Sequence, residues 1–348
     1  MSVRITQGVS NRAYLTNLNT SQYDMNKAMQ KVETGRAFEK VSEDVSAGTN
    51  ALAIRSRLYK NEQVQENIKV ASEQLGVAEE NLLAINEVAV NVQSEVLRAL
   101  NGTNTVIGKD IFLSVLDNSK RSVMNFANSR YNDKYILGGT NAATQPFNCD
   151  ENGKLTYNGV TIEDIEKNDG VYEVDGEVVP YNDDVYMDIG LDIKVVNGKV
   201  DPKTAYKISV SGLETLGYGK SEVVYENSAG EELTYEVSNN IYDIITEMSD
   251  ALQNDDMDKL SALYGHMNDR LDDMMKEVSN IGTRCQFLDT TLARLEDENI
   301  SLNQMQQNTE GIDDATEIMN YMSYRYAWNL TMQFGSSVIP KTLMDYVV

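Results

Sequence analysis

From Ile68 onward, ten apolar residues recur at alternating spacings of four and three: Ile68, Ala71, Leu75, Ala78, Leu82, Ile85, Ala89, Val92, Val96 and Ala99. Residues spaced this way share one side of an α-helix. An unbroken run of this length is a heptad stripe, and a helix carrying it needs a second stripe to cover it. The far arm of the chain supplies one: Leu260, Tyr264, Met267, Leu271, Met274, Val278, Ile281, Cys285, Leu288, Leu292, Leu295, Asn299 and Leu302. The two stripes predict long helices packed on each other, with shorter helices over 110–130 and 240–253 completing a bundle. Ile68, Leu75, Leu82, Ile85, Val92 and Val96, facing Met274, Val278, Ile281, Leu288, Leu292 and Leu295, form the expected core. Asn299, the polar member, is expected either to fix register or to sit at a solvated seam end.

The prolines agree with this division. Pro146, Pro180, Pro202 and Pro340 leave two long proline-free arms, and a proline inside a helix costs about 3 kcal/mol. Between the arms the pattern changes to β-branched and tyrosine residues, as in LTYNGVTI, VYEVDGEVV and LDIKVVNGKV. Asp175-Gly176 and Asn197-Gly198 are dipeptides that favour two-residue hairpin turns. The expected fold is mainly α with a β insert: a long antiparallel, coiled-coil-like bundle from both chain ends and a central antiparallel β domain. The boundaries fall at 1–45 (N-terminal helix and turn), 46–144 (first bundle arm), 145–238 (outward-facing insert), 239–310 (second arm) and 311–348 (C-terminal helix and tail).

Two more amphipathic stretches lie at the extremities. Leu15, Leu18, Met25, Met29 and Val32 make one stripe, and Met319, Met322, Tyr326, Leu330 and Phe334 make another. The chain then closes on VIPKTLMDYVV, with Val338, Ile339, Leu343 and Tyr346 apolar in a segment that would ordinarily be solvated. These residues are the expected assembly interface. The Met-rich stretch (Met267, Met274, Met305, Met319, Met322, Met332) reads as core filler first and as an adaptable interface second.

Charge narrows the partners. The 348 residues carry a formal charge of -24, which repels phosphate backbones and anionic lipid, so no nucleic-acid partner is expected. Residues 1–60 hold 9 basic against 5 acidic residues, net +4, whereas 141–260 hold 8 against 26, net -18. The insert is therefore expected to face water. No run approaches the roughly 18 apolar residues of a membrane helix, so no membrane insertion is expected, and there is no secretory signal pattern. On composition alone the compartment is cytoplasmic. Cys149 and Cys285 are expected to be free thiols.

Residues for catalysis or for holding a cofactor are scarce. His266 is the one histidine and is expected on a helix surface or flank. GLETLGYGKS lacks the first glycine of a phosphate loop, since Glu214 stands there. Gly219-Lys220-Ser221 is therefore expected to be a plain loop. DENGK from Asp150 has Lys154 and Leu155 where a calcium loop needs a ligand and a glycine. Paired acids such as Asp255-Asp256 and Asp272-Asp273 suit helix ends and exposed faces. No enzyme activity, cofactor or metal is expected.

The run GIDDATEIMNYMSYRYAWNLTMQFGSSVIPKTLMDYVV resembles the C-terminus of bacterial flagellins and their hook-associated relatives. ETGRAFEKVSEDVSAGTNALAIRSRL resembles the turn that those proteins place between their first two helices, through Thr34-Gly35-Arg36, Ser42-Glu43-Asp44 and Ala47. The tail from Pro340 to Tyr346 and YILGGTNAATQPF (135–147) are most similar to the hook–filament junction branch of that family. The resemblance implies a structural adaptor that forms a ring of its own copies, binds hook-associated protein of type 1 and flagellin, and leaves the cell unfolded through the flagellar type III apparatus, often with an export chaperone. It replaces the cytoplasmic compartment with the bacterial flagellum, and implies chain ends that are poorly ordered in the monomer and pair only on joining the fibre. A minor flagellin is the alternative within the family, and an enzyme housed in the β insert is the alternative outside it.

Overall fold

The computed structural model describes the chain except residues 1–6, 102–105, 151–153, 169–170, 191–192, 197, 202, 227–231 and 339–348. The described residues form seven α-helices: α1 (Gln7–Thr34), α2 (Val45–Leu100), α3 (Val106–Ala127), α4 (Gly212–Leu216), α5 (Ile241–Gln253), α6 (Met257–Glu310) and α7 (Asp314–Val338). Local chemistry sets many of the ends. Gly35, at φ 66°, closes α1 with its N–H on the Lys31 carbonyl at 2.8 Å. Asp44 caps α2 by accepting the Ala47 amide at 2.9 Å, so the acidic turn noted in the sequence is an N-cap. Asp256 does the same for α6 through Lys259, and Asn240 for α5 through Tyr242. Asp313 caps α7 through the Thr316 hydroxyl and, more weakly, the Ala315 amide, which hold its carboxyl below the ordinary range.

The chain divides into two compact units, one made of residues 63–295 and the other of residues up to Glu62 with those from Glu296 onward. In the larger unit α2 and α6 lie side by side and antiparallel. Gln65 donates to the Leu295 carbonyl at 3.1 Å, Ser72 to Asp289 at 3.3 Å, and Gln93 to Asn268 at 2.8 Å. All ten stripe residues from Ile68 to Ala99 are buried. On α6, Leu260, Met267, Leu271, Met274, Val278, Ile281, Leu288 and Leu295 are buried, whereas Tyr264, Cys285 and Leu292 pack half-buried against the same core. Helices α3 and α5 pair with each other and complete the bundle.

Among the described residues the strand pairs of the insert are antiparallel and do not join into one sheet. Its strands make separate two- and three-stranded pieces, the longest pairing Lys220–Glu226 with Glu232–Ser238. Frequent turn dipeptides cut the strands short: Asp175-Gly176 and Asn158-Gly159 both adopt positive φ, as does Asn132-Asp133 just before the insert. Gly198 also has positive φ, and Asn197 lies outside the described residues. What unites the pieces is an aromatic core in which Phe147 and Tyr157 meet at 5.1 Å and the Tyr157 hydroxyl donates to the Leu137 carbonyl at 3.0 Å. Gly212 permits this, since a Cβ there would lie 2.6 Å from Phe147. The insert docks on α6 through Tyr206, which stacks on Phe287 and donates to the Arg284 carbonyl, and on α2 through Asn67.

Two expectations are corrected. Gly219-Lys220-Ser221 is no loop, because Lys220 and Ser221 open the long strand and Gly219 turns into it. His266 is buried rather than superficial, because the end of the hairpin covers α6 there and accepts its Nε2–H at the Ser238 carbonyl, 3.2 Å away. Of the two readings of Asn299, the solvated seam end fits rather than a register lock: it is half-buried and accepts from Asn303 of its own helix. Both cysteines are free.

Candidate assembly surface

In the smaller unit α1 packs along α7. On α1 the half-buried or buried positions include a continuous three–four repeat, Asn11, Tyr14, Leu18, Ser21, Met25, Ala28 and Val32, with Asp24, Lys27 and Lys31 half-buried beside it. The matching face of α7 carries Glu317, Tyr321, Trp328, Thr331 and Gly335. Two contacts locate the faces: Lys31 pairs with Glu317 at 3.5 Å, and Gly335 lies against the Tyr14 hydroxyl so closely that a Cβ there would collide with it.

The expected interface residues therefore separate into two groups. Leu18, Met25 and Val32 sit in the α1–α7 seam, and Leu330 is half-buried. Leu15, Met29, Met319, Met322, Tyr326 and Phe334 are exposed, Met319 to 62% and Tyr326 to 67%. At about 100° per residue, the Met319, Met322 and Tyr326 face lies roughly opposite the α7 seam. So α7 has two apolar sides, one spent on α1 and one open. Val338 is the last residue of α7, and Ile339, Leu343 and Tyr346 lie outside the described residues. The seam side of α7 was missed in the sequence, although Tyr321, Trp328 and Gly335 repeat at multiples of seven and could have been found by counting a second stripe.

The methionines divide likewise: Met267 and Met274 are buried, whereas Met305, Met319, Met322 and Met332 are exposed, which corrects the core-filler reading for the latter four. Exposed thioethers on helices offer adaptable contact area for another protein.

The larger unit holds a cleft of 350 Å³ lined by residues that include Lys167, Tyr172, Glu214, Arg270 and Asp273. These charges are spent on each other, leaving Glu277 of the lining outside the ion pairs: Lys167 meets Glu214 at 3.3 Å, the Tyr172 hydroxyl donates to Glu214 at 3.0 Å, and Arg270 meets Asp273 at 2.6 Å. Burial, with the Glu214 carboxylate beside it, pushes the Tyr172 phenol up. Among the described residues no group of His, Cys, Asp and Glu is placed to hold a metal, and no helix is long and apolar enough to cross a membrane.

A capped helix–turn–helix entry, a bundle joining both chain arms and a β insert between them define a class. The chain has the fold of the flagellar hook-associated proteins, and its residues 5–142 match the family described as the bacterial flagellin N-terminal helical region. Among solved structures it is similar to a flagellar hook-associated protein from Vibrio parahaemolyticus, at 16% identity and a TM-score of 0.53 over 77% of this chain and 100% of that one. FlgL from Bacillus cereus matches at 19% identity and a TM-score of 0.50, over 73% and 98% of the two chains. Flagellar hook-associated protein-3 from Legionella pneumophila matches at 11% identity and a TM-score of 0.52, over 74% and 98%. No curated protein sequence matches.

Proposed function

We propose that this chain is a structural component of the bacterial flagellum, the adaptor at the hook–filament junction. The observation that carries this reading is the α1–α7 pair, whose inner faces cover each other while Met319, Met322, Tyr326 and Phe334 stay open. In this reading copies of the chain form a ring in which neighbours cover that open face. Hook-associated protein of type 1 lies on one side of the ring and flagellin on the other, and an export chaperone guards the terminal helices before type III export to the cell exterior. The role calls for no catalysis.

The test is a strain deleted for the gene. It is expected to make hooks without filaments and to spill flagellin into the medium, and re-expression of the chain restores filaments. Normal filaments in the deletion strain would overturn the reading. The match of residues 5–142 to a flagellin region favours one alternative, a minor flagellin. Purified chain added to filament seeds separates the two, since a flagellin elongates the seeds and a junction protein does not.

A further inference from the structure

The smaller unit contains an ion pair whose placement its helices do not explain. Glu310 is the last residue of α6 and is buried. A carboxylate there faces the negative end of a long helix's dipole and is also desolvated, two penalties at once. Arg55 of α2 offsets them with a fork: its Nε donates to Oε1 at 2.8 Å and its Nη2 to Oε2. The backbone of Glu310 is engaged as well. Its carbonyl accepts the Ala37 amide at 2.7 Å, and Arg36 forms an antiparallel bridge with Gly311. The turn leaving α1 at Gly35 and the turn entering α7 at Gly311 are thus tied to each other and to α2 through one residue.

Register in the α1–α7 pair depends on where those turns sit. About 31 Å from Gly35 along α1, toward its N-terminus, the Tyr14 hydroxyl occupies the space that any side chain at position 335 would need. A slip of one residue would bring Tyr14 against Ser336 or Phe334 instead. We propose that Arg55 and Glu310 are positioning residues for assembly: they clamp the two turns so that α1 and α7 meet in the one register that presents the open face of α7 in an order a neighbouring copy can match. This inference rests on the assembly role proposed above.

The test uses Glu310→Gln, Arg55→Lys and the exchanged pair Arg55→Glu with Glu310→Arg in the full chain. By amide exchange on purified protein, Glu310→Gln is expected to speed exchange at Ala37 and in residues 311–320 at least tenfold, with residues 68–99 unchanged. Arg55→Lys keeps the charge but loses the fork and falls between, and the exchanged pair restores slow exchange. In the deletion strain, the fraction of cells bearing filaments follows the same order. Unchanged exchange in Glu310→Gln overturns the clamp whatever the flagellar outcome. Full filament assembly by Glu310→Gln, where the wild-type chain also assembles, overturns its part in positioning. Failure of the wild-type chain to restore filaments would count against the junction role alone, and the exchange measurement would still decide the clamp.

Discussion

Ser238 has no exposed surface and uses every polar atom it has. Its amide donates to Glu247 at 3.0 Å, its hydroxyl donates to Asp243 at 3.3 Å and accepts the Asn240 amide, and its carbonyl accepts from His266. This is the root of the long hairpin, where it meets α5 and α6. Burial, with the carboxylate of Glu163 nearby, raises the Asp243 carboxyl from its ordinary 3.8 to about 7; Glu247 on its own helix adds to this, while the Ser238 hydroxyl and Lys154 oppose it. The folded chain therefore holds this proton more tightly than the unfolded one. The resulting stabilisation is complete below about pH 4 and is lost as pH rises through about 7. Urea unfolding of Asp243→Asn should show the variant gaining on wild type by on the order of 3 kcal/mol between pH 5 and pH 8. A constant difference between the two proteins across that range would contradict the protonated carboxyl.

Helices α2 and α7 bury their stripes to very different degrees. Leu82 of α2 is fully buried and its neighbour Leu83 is 42% exposed, so the pair tests the seam directly. Leu82→Asp should lower unfolding stability by about 4 kcal/mol or more, because it leaves a buried charge unpaired. Leu83→Asp should change it by less than about 0.5 kcal/mol; equal effects at both positions would mean that the helix is rotated. In the α1–α7 pair, by contrast, only Ala28 and Gly335 are buried among the residues whose burial is described. Isolated helices gain little from backbone hydrogen bonds alone and depend on packing. Amide exchange on the dilute chain should accordingly be at least a hundredfold faster in residues 11–32 and 315–335 than in 68–99. Equal protection would make the pair part of a finished core and remove its reason to seek neighbours.

For the whole molecule, the dominant long-range force between copies is repulsion. A charge of -24 spread over 348 residues raises the energy of bringing chains together, and salt screens it with a Debye length of about 10 Å at 0.1 M. Self-association followed by light scattering should therefore accelerate several-fold from about 0.01 M to 0.15 M salt. Because the acidic excess lies in the insert, deleting residues 145–238 should flatten that dependence. A steep salt response surviving the deletion would place the repulsion on the helices.

The long helices and their mutual packing were legible because they rest on periodicity: Ile68 to Ala99 and Leu260 to Leu302 announce which side must leave water, and two such sides in one chain have each other as the nearest cover. The hairpin at Asp175-Gly176 was legible for an equally local reason, the φ values those residues tolerate. The burial of His266 was not local, since it depends on a hairpin end 28 residues earlier folding back over α6. Nor was the division of α7 into a covered and an open side, because Tyr326 and Trp328 are both large and aromatic, and only the place where α1 lies decides which of them meets water. Sequence alone determined what had to be buried somewhere. The tertiary structure decided which apolar surface remained uncovered, because that depends on the directions in which distant segments approach one another, and residue types along the chain do not encode those directions one at a time.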